Sequence, residues 1–305
     1  MPALLLLLGG CAPIPEAVLE LPAGSVLELD RTPFYPQERY QCGPAALTTV
    51  LTMSGAVVAL DDIVDKVYLP ERKGSLQVEL LAATRTEGRL PYVIDGTLSA
   101  IRNELEAGRP VVVLQNLGVA AIPRWHYAVV VGINADRSEL ILRSGTDRRR
   151  TTSVRTFLHT WRRGDYWAMV VLRPDELPAE VNRERYFSAI AALEQTGRLD
   201  EAALAWRTAE DRWPENSVAL FGVGNTEGAL GNFSVAEKIY RALLEQDGSL
   251  LVARNNLALV LAEQGEFEAA IDEIGTALEM NDDPALESEL RDTERTILGM
   301  RATRQ

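Results

Sequence analysis

The chain has 305 residues, 47% of them apolar and 25% charged, with a formal charge of -13 at pH 7. Such a length and apolar share can bury ordinary cores, predict two domains and exclude a disordered chain. Residues 180–305 hold 24 acidic and 12 basic side chains, so most of the negative charge sits in that stretch and nucleic acid is not an expected partner.

The sequence begins MPALLLLLGGCAP. Its leucine run is too short to cross a bilayer as a helix. It resembles the end of a bacterial lipoprotein signal, with Leu8-Gly9-Gly10 preceding a lipid-modified Cys11. That resemblance makes residues 1–11 the signal and lipidation site. Ala12, where an acidic retention residue is absent, resembles outer-membrane sorting. The expectation is a cell-envelope protein anchored by lipid and facing the periplasm. Of the two cysteines in the chain, Cys42 would then be the free one, with no partner for an intramolecular disulfide in an oxidising compartment.

After a proline-rich lead, residues 44–54 read as a helix with Pro44 in its first turn. Residues 61–67, 75–83 and 97–107 follow as helices, the last stopped by Gly108 and Pro110. The period then changes. Residues 111–114, 126–133, 140–143 and 167–172 are β-branched or apolar runs separated by turn residues. Helices followed by strands predict an α+β domain over residues 25–175.

Residues 173–182, with two prolines, break the pattern. Beyond them Gly197, Gly231 and Gly265 stand 34 residues apart, as do Ala202, Ala236 and Ala270. Trp206, Tyr240 and Ile274 keep the same phase, and so do Leu199, Phe233 and Phe267. Small residues at helix crossings, bulky knobs and turn glycines in this period resemble tetratricopeptide repeats. About three units fit residues 183–305, starting near Arg183, Ser217 and Leu251, with residues 284–305 as a polar capping helix.

The stretch YQCGPAALTTVL carries the chemistry. A cysteine nucleophile needs a depressed thiol pKa, a nearby imidazole and donors for an oxyanion. Cys42 heads an apolar helix, where the helix end favours thiolate and its own N-H can serve the oxyanion. Gln37 can supply a side-chain amide to the same oxygen. Of two histidines, His159 reads as structural or solvent-facing. His126, at the entry to the run HYAVVVGI, is the expected base.

The segments PQERYQCGPAAL, RKGSLQVELLAATRTEG, LEAGRPVVVLQ and HYAVVVGI resemble, in this order, the papain-like cysteine peptidases of the C39 and C39-like group, over about residues 30–172. The resemblance implies a papain-like α+β fold with a Cys-His-Asp triad assisted by Gln. Gln37 stands five residues before Cys42, where transporter-linked members have six. The strand-end Asp is absent, and Ser144 falls at its place; a serine can orient an imidazole but does not stabilise its cation as a carboxylate does. Asp147 is the other candidate. With residues 135–138 as a hairpin turn, positions whose numbers sum to about 273 lie opposite, and Asp147 faces His126.

The expectation is a lipid-anchored cysteine peptidase that cuts a peptide or protein through Cys42 and His126, its repeats recruiting substrate or partner. A basic segment would suit the acidic repeats. The competing expectation is an inactive peptidase-like scaffold acting through its repeats. No cofactor or metal is expected, since the histidines and one free cysteine are too few for a credible metal site.

Overall fold

The structure is a computed structural model that describes residues 25–37, 40–119 and 121–304. The expected lipid anchor at Cys11 lies outside the described residues. No helix among those described is long and apolar enough to cross a membrane. The chain divides into two compact units: one holds Pro91–Val171, Pro178–Glu180 and the chain up to Glu87, the other Gly88–Leu90, Leu172–Leu177 and Val181 onward.

In the first unit, helices α1 (Cys42–Met53), α2 (Leu60–Val67), α3 (Gln77–Thr86), α4 (Leu98–Glu106) and α5 (Val154–Arg162) accompany strands β1 (Val26–Glu28), β2 (Leu90–Val93), β3 (Val111–Asn116), β4 (Trp125–Asn134), β5 (Glu139–Ser144), β6 (Asp147–Ser153) and β7 (Ala168–Leu172). Among the described residues these strands form one sheet in the order β2-β7-β3-β4-β5-β6, with β1 also on β4. β3 is antiparallel to β4 and β7, and β4 to β1 and β5.

Burial follows the pleat, since alternate residues of a strand face opposite sides. Val112, Leu114, Tyr127, Val129 and Met169 pack with Leu47, Val50 and Leu51 of α1 and Leu80 of α3. Residues of the other parity, such as Val111, Val113, Ala128 and Val130, are buried too. α4 and α5 both pack against the sheet. A strand as uniformly apolar as the start of β3 is what a sheet covered on both faces demands. Each buried Val or Leu there contributes about 1.5–3 kcal/mol. The outer strand β6, DRRRTTS, is almost wholly exposed, and its arginines discourage pairing at an open edge.

The predicted α+β class holds, with three local differences. α3 starts at Gln77 and not at Ser75, because Leu76 is extended. β6 and α5 escaped the apolar pattern; β6 is polar, and α5 is announced only by its cap, in which Ser153 Oγ accepts from Thr156 N at 3.2 Å. The short β1 and β2 carry too few residues for periodicity to register.

The second unit is all helix after its lead-in. The pairs α6 (Arg183–Glu194) and α7 (Leu199–Arg212), α8 (Ser217–Ala229) and α9 (Phe233–Gln246), and α10 (Leu251–Gln264) and α11 (Phe267–Met280) begin where the period predicts, and α12 (Pro284–Arg304) closes the stack. Ala202, Ala236 and Ala270 are completely buried. Gly197, Gly231 and Gly265 turn between the helices of each pair at φ of 77°, 81° and 87°, a region that favours glycine. Between pairs, a Cβ on Gly222 would come within 2.3 Å of the Trp206 ring, so the glycine is the socket for that knob.

Candidate active site

Cys42 is the first residue of α1. Behind it the helix is buried from Gly43 to Leu51, and its two interior threonines satisfy themselves on the preceding turn: Thr48 donates to the Pro44 carbonyl at 2.9 Å and Thr49 to that of Ala45 at 2.8 Å. Pro44, lacking an N-H, loses nothing in the first turn, where no helical acceptor exists. Gly43 has a different reason. A Cβ there would lie 2.5 Å from Ser75 Oγ, so only glycine lets the segment before α3 close against the head of α1.

Gln37, Cys42 and His126 all line one cleft of about 940 Å³, together with Ser75, Trp125 and Tyr127. His126 enters it from the second position of β4, paired with Gln115 of β3. Its Nε2 lies 2.8 Å from Ser144 Oγ at the end of β5. Gln37 is tied to the same corner, since its N-H donates to the Gly145 carbonyl at 3.1 Å. Among the described residues the thiol and imidazole share the cleft without a hydrogen bond between them. Contacts of this kind are often loose without substrate.

Asp147 sits elsewhere. β4 and β5 pair Val129 with Arg143 and Val130 with Leu142, then a bulge intervenes before Gly132 meets Ile141. The chain turns directly after Ser144, which pairs with Asp147 across that turn. Asp147 therefore opens the outer strand, exposed, and Ser144 is the group that meets the imidazole. His159 lies exposed in the last turn of α5.

Burial shifts both the thiol and the imidazole toward their neutral forms. Burial pushes the Cys42 thiol up, although the N-H groups of Tyr127, Gly43 and Cys42 itself pull the other way. His126 is lowered to about 4 by burial, then by the charges of Arg150 and Arg124. The sequence leads one to expect a thiolate at the helix end, and the donors are indeed there; desolvation outweighs them.

Asn116 escaped the sequence reading. Its Oδ1 accepts from the N-H groups of Gly118 and Arg124, each at 2.9 Å, and Leu117 N donates to the Arg124 carbonyl at 2.9 Å. These bonds close the β3-β4 loop and fix the start of β4, hence His126. Gln115 donates to Thr160 Oγ1 of α5 at 2.6 Å. An Asn ending an apolar strand before a Gly was the available signal. No three metal-binding side chains cluster among the described residues.

Residues 29–169 match the family model for the Peptidase_C39 like family, and residues 187–249 and 224–284 match the tetratricopeptide repeat model. The sheet unit is a C39-like peptidase domain, and the helix pairs are tetratricopeptide repeats. Among solved structures, a Bacillus anthracis protein described as a C39-like peptidase is 13% identical, with 49% of this chain and 98% of that one covered and a TM-score of 0.41. The peptidase domain of Streptococcus ComA, a bifunctional ABC transporter of a quorum-sensing pathway, is 18% identical over 47% of this chain and 98% of its own, at a TM-score of 0.38. The Yersinia enterocolitica type III secretion translocator chaperone SycD is 17% identical over 41% of this chain and 89% of its own, also at 0.38. No curated protein matches the sequence. Gln37, Cys42, His126, Ser144 and Asp147 all fall within the C39-like segment.

Proposed function

We propose that the chain is a cysteine peptidase of the cell envelope, held to the membrane by a lipid on Cys11, whose repeats recruit a protein substrate or partner. The observation that carries the catalytic part is the shared cleft of Cys42, His126 and Gln37. With Ser144 accepting from Nε2-H, the lone pair on Nδ1 is left to take the Cys42 proton. The sulfur then attacks an amide carbonyl, and the oxyanion meets the Gln37 side chain and the Cys42 N-H. His126 returns its proton to the leaving amine. Water deprotonated by His126 hydrolyses the thioester and releases the second product. Because the resting pair is neutral, the proton moves only as the attack proceeds. The acidic repeats suit a basic segment of the recruited protein.

A second reading, an inactive scaffold acting through its repeats, is favoured by Ser144 standing where a carboxylate would stabilise the imidazolium. One experiment separates the two. The full chain in detergent micelles and its Cys42→Ala variant are incubated with a peptide library, and new termini are read by mass spectrometry. New termini from the parent alone, with a peptide chloromethyl ketone adduct mapped to Cys42, support the peptidase. Identical products from both chains, with no adduct, leave the scaffold.

A further inference from the structure

The charge of the cleft runs against that of the chain. The protein carries -13 overall, yet Arg72, Lys73 and Arg124 line the cleft and Asp165 is the carboxylate among its lining residues. The cations come from two separate segments. Arg72 and Lys73 belong to the turn that follows Leu69, closed by the Leu69–Gly74 bridge; Arg124 leads into β4 and is pinned through its N-H by Asn116. All three are exposed. Other cations in this unit, Arg109 and Arg149 for example, hold carboxylates at 2.6 and 2.8 Å, whereas none of the cleft three meets a carboxylate among the described residues. Lys73 Nζ stands 6.0 Å from the centroid of the Tyr40 ring, which leaves its charge available to a ligand.

One further feature suits an extended acidic chain. Trp125 is 56% exposed at the cleft and offers an apolar face to the aliphatic part of a glutamate or to a neighbouring apolar residue.

We propose that the cleft binds an acidic stretch of polypeptide, its carboxylates meeting Arg72, Lys73 and Arg124 while the chain lies across Cys42. This deepens the peptidase reading by naming its substrate class, and it rests on that reading only for the bond that is cut. Exposed pairs are individually weak. Three acting together on one ligand give about a tenfold preference and a faster encounter.

Binding is measured by fluorescence anisotropy on the full chain carrying Cys42→Ala, so that nothing is cleaved. The probes are short labelled peptides with one apolar frame and Glu, Gln or Lys at the flanking positions. The Glu peptide should bind about tenfold tighter than the Gln peptide and the Lys peptide weakest. The spread should collapse between about 0.01 and 1 M salt, as the screening length falls from about 30 to about 3 Å. The triple variant Arg72→Glu/Lys73→Glu/Arg124→Glu should reverse the order, and the milder Arg72→Gln should narrow it. A Lys peptide that binds tightest to the parent, equal binding of all three, or an order untouched by either variant overturns the proposal. Cleavage by the parent chain is scored separately: no cleavage alongside an intact Glu preference defeats the peptidase reading and leaves the acidic ligand standing.

Discussion

The C39-like domain and the repeats bury comparable apolar side chains by opposite routes. In the sheet domain, one cluster draws Leu47, Leu80, Val112, Val129 and Met169 together from distant parts of the chain. In the repeats, α8 packs on α9, α9 on α10 and α10 on α11, and so on along the stack. A non-local core can bring a thiol, an imidazole and an amide into one cleft, because its strands and helix ends converge. A stack of neighbours instead offers a long surface assembled from equivalent positions. The first arrangement suits a cleft, the second an extended surface.

The sharpest way to break that division is to remove the thiol. Cys42→Ala should lower peptide cleavage by a factor of at least about a thousand while the melting of the repeats, followed by helical circular dichroism, stays put. Loss of both together would mean the units are not independent. Acid should test the sheet domain next. An unfolded imidazole takes its proton near pH 6.5, but folded His126 waits until about 4, so the stability it contributes is complete above 6.5 and lost as pH falls toward 4. The expected loss is about 3 kcal/mol, and denaturant unfolding of the parent and of His126→Gln at both pH values would reveal it as a pH slope missing from the variant.

The reciprocal test is aimed at the repeats. Gly222→Val drives two methyls into the Trp206 ring and should cost about 3 kcal/mol, seen as earlier helical melting without a change in alkylation of Cys42. Smaller again, Ser144→Ala removes the imidazole's partner and should slow cleavage about tenfold, near the worth of one hydrogen bond. Ser144→Asp should lift the pKa of His126, read from its ring proton shifts against pH. Asp147→Ala should change the rate less than about twofold, as an exposed position away from the imidazole does; a loss as large as that of Ser144→Ala would show that the bulged register misleads.

The same contrast decides what the sequence could tell. Repeats were legible to the residue, since Arg183, Ser217 and Leu251 begin their helices as the 34-residue phase requires. Cys42 and His126 stood out through scarcity and setting, and the cleft brings them together with Gln37. Their partner was not decided, because one bulge between Val130 and Gly132 and a turn after Ser144 shift which side chain reaches the ring. The protonation of Cys42 was misjudged for another reason. A helix terminus is visible in a sequence, whereas the burial that desolvates the thiol exists only in the folded chain. Asn116 left only the signal of an Asn closing an apolar strand, which does not say that its bonds run across the β3-β4 loop to Gly118 and Arg124.

A protonated thiol also resists damage. Peroxide and disulfide exchange act on thiolate, so the burial that raises the Cys42 pKa shields it from sulfenic acid and mixed disulfides while it waits. Under mild peroxide, Cys42 of the folded chain should therefore be oxidised more slowly than the same thiol after denaturation, as mass spectrometry of the Cys42 peptide would read.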